Sequence, residues 1–317
     1  MRAIKLFFLA VLTFVGTNAA HAQWPSTTST DEGRFWMEMG ASAHDRPGGK
    51  LGLALISNDV TNDVLFTSDQ LTDMNTAFGP NIRFGSKSRT GVNWEASTSM
   101  AKWETSEVFL GPNLASPFFD PQLDPNEIGI GYDSEFFDVQ FNFRRAIYPG
   151  MTFLIGPRYY QLNEDLRLTT ESTISLPTGD ELLTSLNSAD VSNSAIGGTI
   201  GFEMNQPITR DIYIQGHVKA SGLSNNAEMT RLADTNFDDS TSDSIDKSSG
   251  MFIGQTGGRV YFEVVPRRVA TYLGYEANWL DGVANAPSQD FLVNGSELKN
   301  SNTIFWHSVN FGLKFTY

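Results

Sequence analysis

The chain has 317 residues, no cysteine, 23 phenylalanines, 28 glycines and a formal net charge of −14. Acidity of this size argues against nucleic acid and anionic lipid surfaces as partners, because both are bound through basic patches. Without disulfides, an exported form must hold together through core packing or a closed hydrogen-bonded sheet.

Arg2 and Lys5 flank the start of the apolar run 6-LFFLAVLTFVG-16, and 20-AHA-22 precedes Gln23. In that order they read as a Sec-type signal peptide over 1–22, cleaved near Ala22/Gln23. Its removal takes the net charge to −16, and residues 23–33 become a periplasmic lead. Beyond residue 22 no run of about 18 apolar residues occurs, so no transmembrane helix is expected.

From there the chain alternates apolar and polar residues. The alternation predicts strands near 34–43, 78–87, 91–103, 132–146, 150–168, 190–206, 210–228, 250–265, 268–282 and 303–317. Short connections at 88–90, 147–150, 207–209 and 266–267 alternate with long ones at 44–77, 104–131, 169–189, 229–249 and 283–302. Pro157 is expected to mark a bulge, since proline donates no ladder hydrogen bond. The first long connection also contains 50-KLGLALIS-57 and 64-VLFTSDQL-71, an extra hairpin that would raise the count from ten strands to twelve.

Alternation fixes faces. Phe137, Val139, Phe141 and Phe143 oppose Asp138, Gln140, Asn142 and Arg144. Val309, Phe311, Leu313 and Phe315 oppose Asn310, Gly312 and Lys314, with Tyr317 at the end. A soluble sandwich alternates too. The signal peptide, strands long enough to cross a bilayer and the rhythm of short and long connections favour a transmembrane barrel. The expectation is an all-β, up-and-down antiparallel barrel over 34–317, with short periplasmic turns and long extracellular loops. A closed barrel pairs every backbone group and leaves no edge. The last strand, 303–317, must then pair with the first, 34–43.

Three stretches, 154-LIGPRYYQLNEDL-166, 216-GHVKASGLSNNAE-228 and 272-YLGYEANWLDGVANAP-287, resemble the porin-like outer-membrane barrel proteins abundant in planctomycete bacteria. The family usually carries Gly-Phe-Arg-Tyr where this chain has Gly156-Pro157-Arg158-Tyr159. The resemblance implies an outer-membrane barrel without a defined substrate. It also implies that the aromatic C-terminal strand is read by the barrel-assembly machinery.

The inward positions carry both charges: Glu38, Arg83, Glu95, Asp138, Arg144, Arg158, Glu164, Glu203, Asp211, His217, Lys219, Arg259, Glu263, Glu276 and Lys314. Arg158, Lys219, Arg259 and Glu263 are the candidates for a central network, with Glu276, Arg144 and Asp138 around them. Barrels of about eight strands are filled by their own side chains, and wide channels need about sixteen. A narrow, charge-paired lumen is therefore expected, porin-like or structural, with passage of small solutes as the open alternative. Trp36, Trp103, Tyr148, Tyr272, Trp279, Trp306 and Tyr317 are candidates for interfacial belts.

Rival functions are an outer-membrane hydrolase and a loop-based adhesion or binding protein. The sequence does not favour an enzyme. It contains no nucleophile elbow, zinc-protease motif or P-loop. His44 lies in an expected loop with Asp45 on the opposite face, and His307 and Ser308 also face opposite ways. No cofactor is called for. In 234-DTNFDDSTSDSID-246, Asp234, Asn236 and Asp238 match the first ligand positions of a calcium loop. Asp239 and Ile245 stand where that motif needs glycine and glutamate, so a solvated, disordered acidic tip is expected. The expected partners are outer-membrane lipid and the assembly machinery; the oligomeric state is left open.

Overall fold

The computed structural model describes residues 34–46, 54–58, 61, 63–67, 70, 74–87, 92–116, 125–176, 179–235, 238–289 and 298–317. The segments read as signal peptide and lead lie outside the described residues. The strands are β1 (Arg34–Arg46), β2 (Ala54–Asn58), β3 (Val64–Thr67), β4 (Met74–Lys87), β5 (Val92–Leu110), β6 (Leu114–Ala115), β7 (Glu127–Tyr148), β8 (Met151–Leu176), β9 (Gly179–Pro207), β10 (Ile212–Thr235), β11 (Asp238–Val265), β12 (Val269–Val283) and β13 (Asn302–Thr316). A 3-10 turn, Ala286–Ser288, lies between β12 and β13.

Ten strands close into an antiparallel barrel in the order β1-β13-β12-β11-β10-β9-β8-β7-β5-β4, and β4 returns to β1. The closing strand behaves as its alternation requires. β13 pairs with β12 on one side and β1 on the other, where Trp36 faces Thr316 and Ala43 faces Val309. The extra hairpin exists but does not enter the barrel. β2, β3 and β6 form a separate three-stranded sheet, so the barrel count stays at ten.

Two expected long loops are strand. β8 and β9 stay paired out to Leu176 and Gly179, and β10 and β11 out to Thr235 and Asp238. These arms are rich in serine, threonine and aspartate, which hides the hydrophobic period. Their backbone ladders need no apolar side chain to form, and threonine suits a strand. The acidic stretch is thus largely a strand arm, not an irregular tip; Asn236 lies outside the described residues. The expected bulge at Pro157 is also absent. The β7–β8 ladder skips two pairs between Gln140–Arg158 and Phe143–Ile155, and the register is the same on both sides.

The hydrophobic phase of the strands inverts part-way along the barrel. Near the short turns, apolar side chains point out: Phe137, Phe141 and Phe143 on β7, Ile155 on β8, Ile196 and Ile200 on β9, Phe311 and Leu313 on β13 are all exposed. Toward the long-loop end they point in: Ile128, Ile130, Tyr132 and Phe136 on β7, and Tyr160, Leu162, Leu166 and Leu168 on β8, are buried. The inversion falls between neighbours, at Phe136-Phe137 and Tyr159-Tyr160. The lower zone is built to face an apolar medium. The upper zone is built as a soluble barrel with a dry interior and a wet exterior.

The wet exterior is acidic. Glu104, Asp133, Asp165 and Asp190 stand directly opposite one another across β5, β7, β8 and β9. Like charges in that relation repel. Arg167 Nη2, two residues along from Asp165, pairs with its carboxylate and offsets part of the repulsion.

Candidate functional site

The lumen is the natural candidate site, and two filled layers occupy it. The layer toward the short turns is ionic. Glu38, Glu95 and Glu203 are almost fully buried. Arg83 reaches Glu38 and Glu95 at 3.0 Å each and Glu203 at 3.5 Å. Arg144 contacts Glu95 at 2.9 Å and also pairs with Glu203. Arg259 and Lys314 lie 3.3 and 3.4 Å from Glu38, and Lys219 lies 3.7 Å from Glu95. Tyr261 donates its hydroxyl to Glu38 Oε1 at 3.0 Å. Trp36 points inward beneath this hub, with Arg83, Arg144 and Lys314 over its ring at 5.6, 5.7 and 5.2 Å. For the three carboxylates the cost of burial is offset, because each has at least two charged donors.

Register explains how residues so distant in sequence meet. Tyr272, Gly312, Gly40 and Asn81 form one row across β12, β13, β1 and β4. The Tyr272 ring crosses both glycines, and its hydroxyl donates to Asn81 Oδ1 at 2.8 Å. A side chain on Gly40 or Gly312 would collide with that hydroxyl. Beside this row, Ser42 pairs with Asn310, and Asn81 Nδ2 donates to Ser42 Oγ at 2.6 Å.

Above the ionic layer the lumen turns apolar. Phe136 stacks on Tyr160 at 6.1 Å and lies 5.7 Å from both Trp103 and Trp306. His44 meets the edges of Phe136 and Trp103 at 5.2 and 6.1 Å. This septum continues into one cluster with Leu162, Leu166, Val191, Leu223, Met229 and Ile253. Leu55, Ile56, Phe66 and Leu114 of the small sheet join it, so the outer sheet packs into the same core.

The segment after β12 folds into this end of the lumen. Ala284 through Gln289 are buried. Asn193 holds it twice, through Nδ2 to Ala284 O at 2.8 Å and through Oδ1 from Ala284 N at 2.9 Å. Glu164 Oε2 accepts the N–H of Ala286 at 2.9 Å. Gln289 bridges across the loop, accepting from Lys299 N and donating to Lys299 O at 2.9 and 2.8 Å.

The sequence candidates fall into distinct places. Arg158 forms a two-pronged pair with Asp138 at 2.9 and 2.8 Å and donates to Ser221. Lys219 donates to Gln140 Oε1 at 3.2 Å, and Glu276 faces His217 at 3.2 Å. Glu263 stands apart from the network. It is half-exposed near the end of β11 and accepts the N–H of Arg267 from the following turn at 3.0 Å. Asp211 is likewise exposed, in the β9–β10 turn. Four belt candidates, Trp36, Trp103, Tyr272 and Trp306, are interior side chains. They share parity with Glu38, Glu95, Glu276 and Ser308, so register sends them inward. Val309, Phe311, Leu313 and Tyr317 are exposed on the outer face, and Phe315 is half-exposed beside them. Of the calcium-loop candidates, Asp234 is exposed on β10 and Asp238 opens β11. Among the described residues no group of three or more histidines or carboxylates is placed to hold a metal.

Some residues escaped the sequence reading. Arg46, in an expected loop, is buried on β1 and pairs with Glu164 at 2.9 Å. His44 lies opposite Ser308, and Asp45 opposite His307, with His307 Nε2 3.2 Å from Asp45 on the outer face. Neighbour spacing along the chain could not show these cross-strand pairs.

No family model matches the chain, and no curated protein is similar to it in sequence. Among solved structures it is similar to the outer membrane protease OmpT of Escherichia coli (11% identity, TM-score 0.41, covering 93% of this chain and 99% of that one). It is also similar to the translocator domain of autotransporter NalP of Neisseria meningitidis (8%, 0.39, 91% and 90%) and to the toluene transporter TodX of P. putida (9%, 0.36, 91% and 90%). At these similarities none of their activities transfers to this chain.

Proposed function

We propose that the chain is an outer-membrane β-barrel, porin-like in architecture and structural in role, whose lumen is closed at rest. The apolar lower exterior supports the lipid address, because a closed barrel with an outward apolar band is how strands cross hydrocarbon. In this reading the short turns face the periplasm and the acidic upper zone faces outward. The chain is exported with residues 1–22 as its cleaved signal and 34–317 as its barrel. The assembly machinery reads the aromatic strand β13, as the resemblance to the planctomycete-type proteins suggests. The barrel acts without a catalytic centre or cofactor.

The observation that carries closure is the stacking of the ionic hub under the aromatic septum. The cavity bounded by these two layers has a volume of about 50 Å³. Room for a water takes roughly 10–15 Å³ on the same measure, so only a few waters fit. Liposome swelling tests the reading. Vesicles carrying the refolded barrel should swell in sugars and amino acids no faster than empty vesicles. Swelling at the rate of an open porin at equal protein load would contradict it.

A further inference from the structure

The buried ionic hub is short of negative charge. Arg83, Arg144, Lys219, Arg259 and Lys314 are five cations linked to three carboxylates, Glu38, Glu95 and Glu203. Asp138 does not make up the deficit, because Arg158 occupies both of its oxygens. Glu276, counted in, leaves an excess of one positive charge beside a neutral His217 and of two beside a protonated one. Buried charge without a counterpart is costly. A chain with 36 acidic and 22 basic residues has therefore concentrated cations where water is scarce.

The spare donors converge on the cavity of about 50 Å³ between hub and septum. Lys219, Arg259, Arg83, His44, His217 and Glu276 line it. Arg259 Nε has no hydrogen-bond partner, and neither has either ring nitrogen of His44, which is 4% exposed and in its neutral form offers one N–H donor. Lys219 carries three N–H donors and uses one, on Gln140. The carboxylates around the cavity already accept from their own partners, so the unspent capacity is that of donors.

We propose that this cavity binds one small monovalent inorganic anion of halide size, held by Lys219 Nζ, Arg259 Nε and the cationic field of Arg83. The volume admits such an ion with a water or two. The site stands whether or not the barrel ever conducts, so its test is separate from that of the closed lumen.

The full barrel is refolded in detergent at one ionic strength in sodium chloride, sodium bromide or sodium gluconate, and thermal unfolding is followed. Chloride and bromide should raise the midpoint saturably above gluconate. Lys219→Met should raise the half-saturating chloride concentration about tenfold, as expected for loss of a charged hydrogen bond. Should that variant fail to refold, Arg259→Lys keeps the charge but lacks the Nε–H, and the same direction of shift is expected. Crystals grown in bromide should show an anomalous peak in contact with Lys219 Nζ and Arg259 Nε. Equal midpoints in all three salts, a chloride effect unchanged in the folded variant, or a bromide crystal without that peak would each overturn the proposal.

Discussion

Glu164 holds two parts of the molecule at once: its Oε2 accepts the Ala286 N–H at 2.9 Å, and its Oε1 lies 2.9 Å from Arg46 Nη1. The carboxylate therefore ties the inserted segment after β12 to β1 through β8. Glu164→Ala should leave Arg46 buried and unpaired, a loss of about 3–5 kcal/mol. Urea unfolding in detergent reads the stability, and limited proteolysis after β12 reads release of the segment. Glu164→Gln keeps an acceptor for Ala286 and should protect the segment better than alanine does. Identical cleavage of both variants and the parent would show that Glu164 is not the latch.

The phase inversion makes a positional prediction. Phe311→Arg places a charge in the outward apolar zone and should cost about 2–4 kcal/mol on folding into lipid if it lies near the midplane. Asn163→Arg, also outward but in the acidic upper zone, should cost within about 0.5 kcal/mol. Urea titration of both variants in vesicles checks this. Equal tolerance would mean that the two zones face the same medium.

Asp165 and Asp190 oppose each other directly on β8 and β9. Burial, and then the Asp165 carboxylate, raise the Asp190 pKa above the ordinary carboxylate range. An acid whose folded pKa is raised holds its proton more tightly folded than unfolded. Its ionisation therefore destabilises the fold at neutral pH, and the penalty fades as pH falls toward the ordinary value of about 4. Asp190→Asn should stabilise the barrel at pH 7 by a few tenths to about 1 kcal/mol, and the gain should vanish in acid. Thermal melts across pH check the sign. A variant less stable than the parent at pH 7 would refute it.

Much of the fold was legible because alternation is strict wherever one face meets an apolar medium. β7 around Phe137–Phe143 and β13 around Val309–Phe315 could be placed from residue type alone. The hairpin arms were not legible, since their serines, threonines and aspartates carry no hydrophobic period. The aromatic septum was half-legible. Adjacent pairs such as Phe136-Phe137 and Tyr159-Tyr160 mark where the apolar parity changes, and following it would have sent Trp103 and Trp306 inward. The ionic hub needed register. That Arg83 and Arg144 would centre on Glu95, and that Glu263 would stay at the rim, depends on stagger between strands that no single strand reveals.

The closed lumen is tested most directly by planar-bilayer recording of the refolded full barrel, with insertion verified by its heat-modifiable mobility. The stacked hub and septum predict a flat baseline at protein loads where an open porin gives discrete steps. Reproducible single-channel steps in most insertions would contradict closure and show that the two layers part under resting conditions.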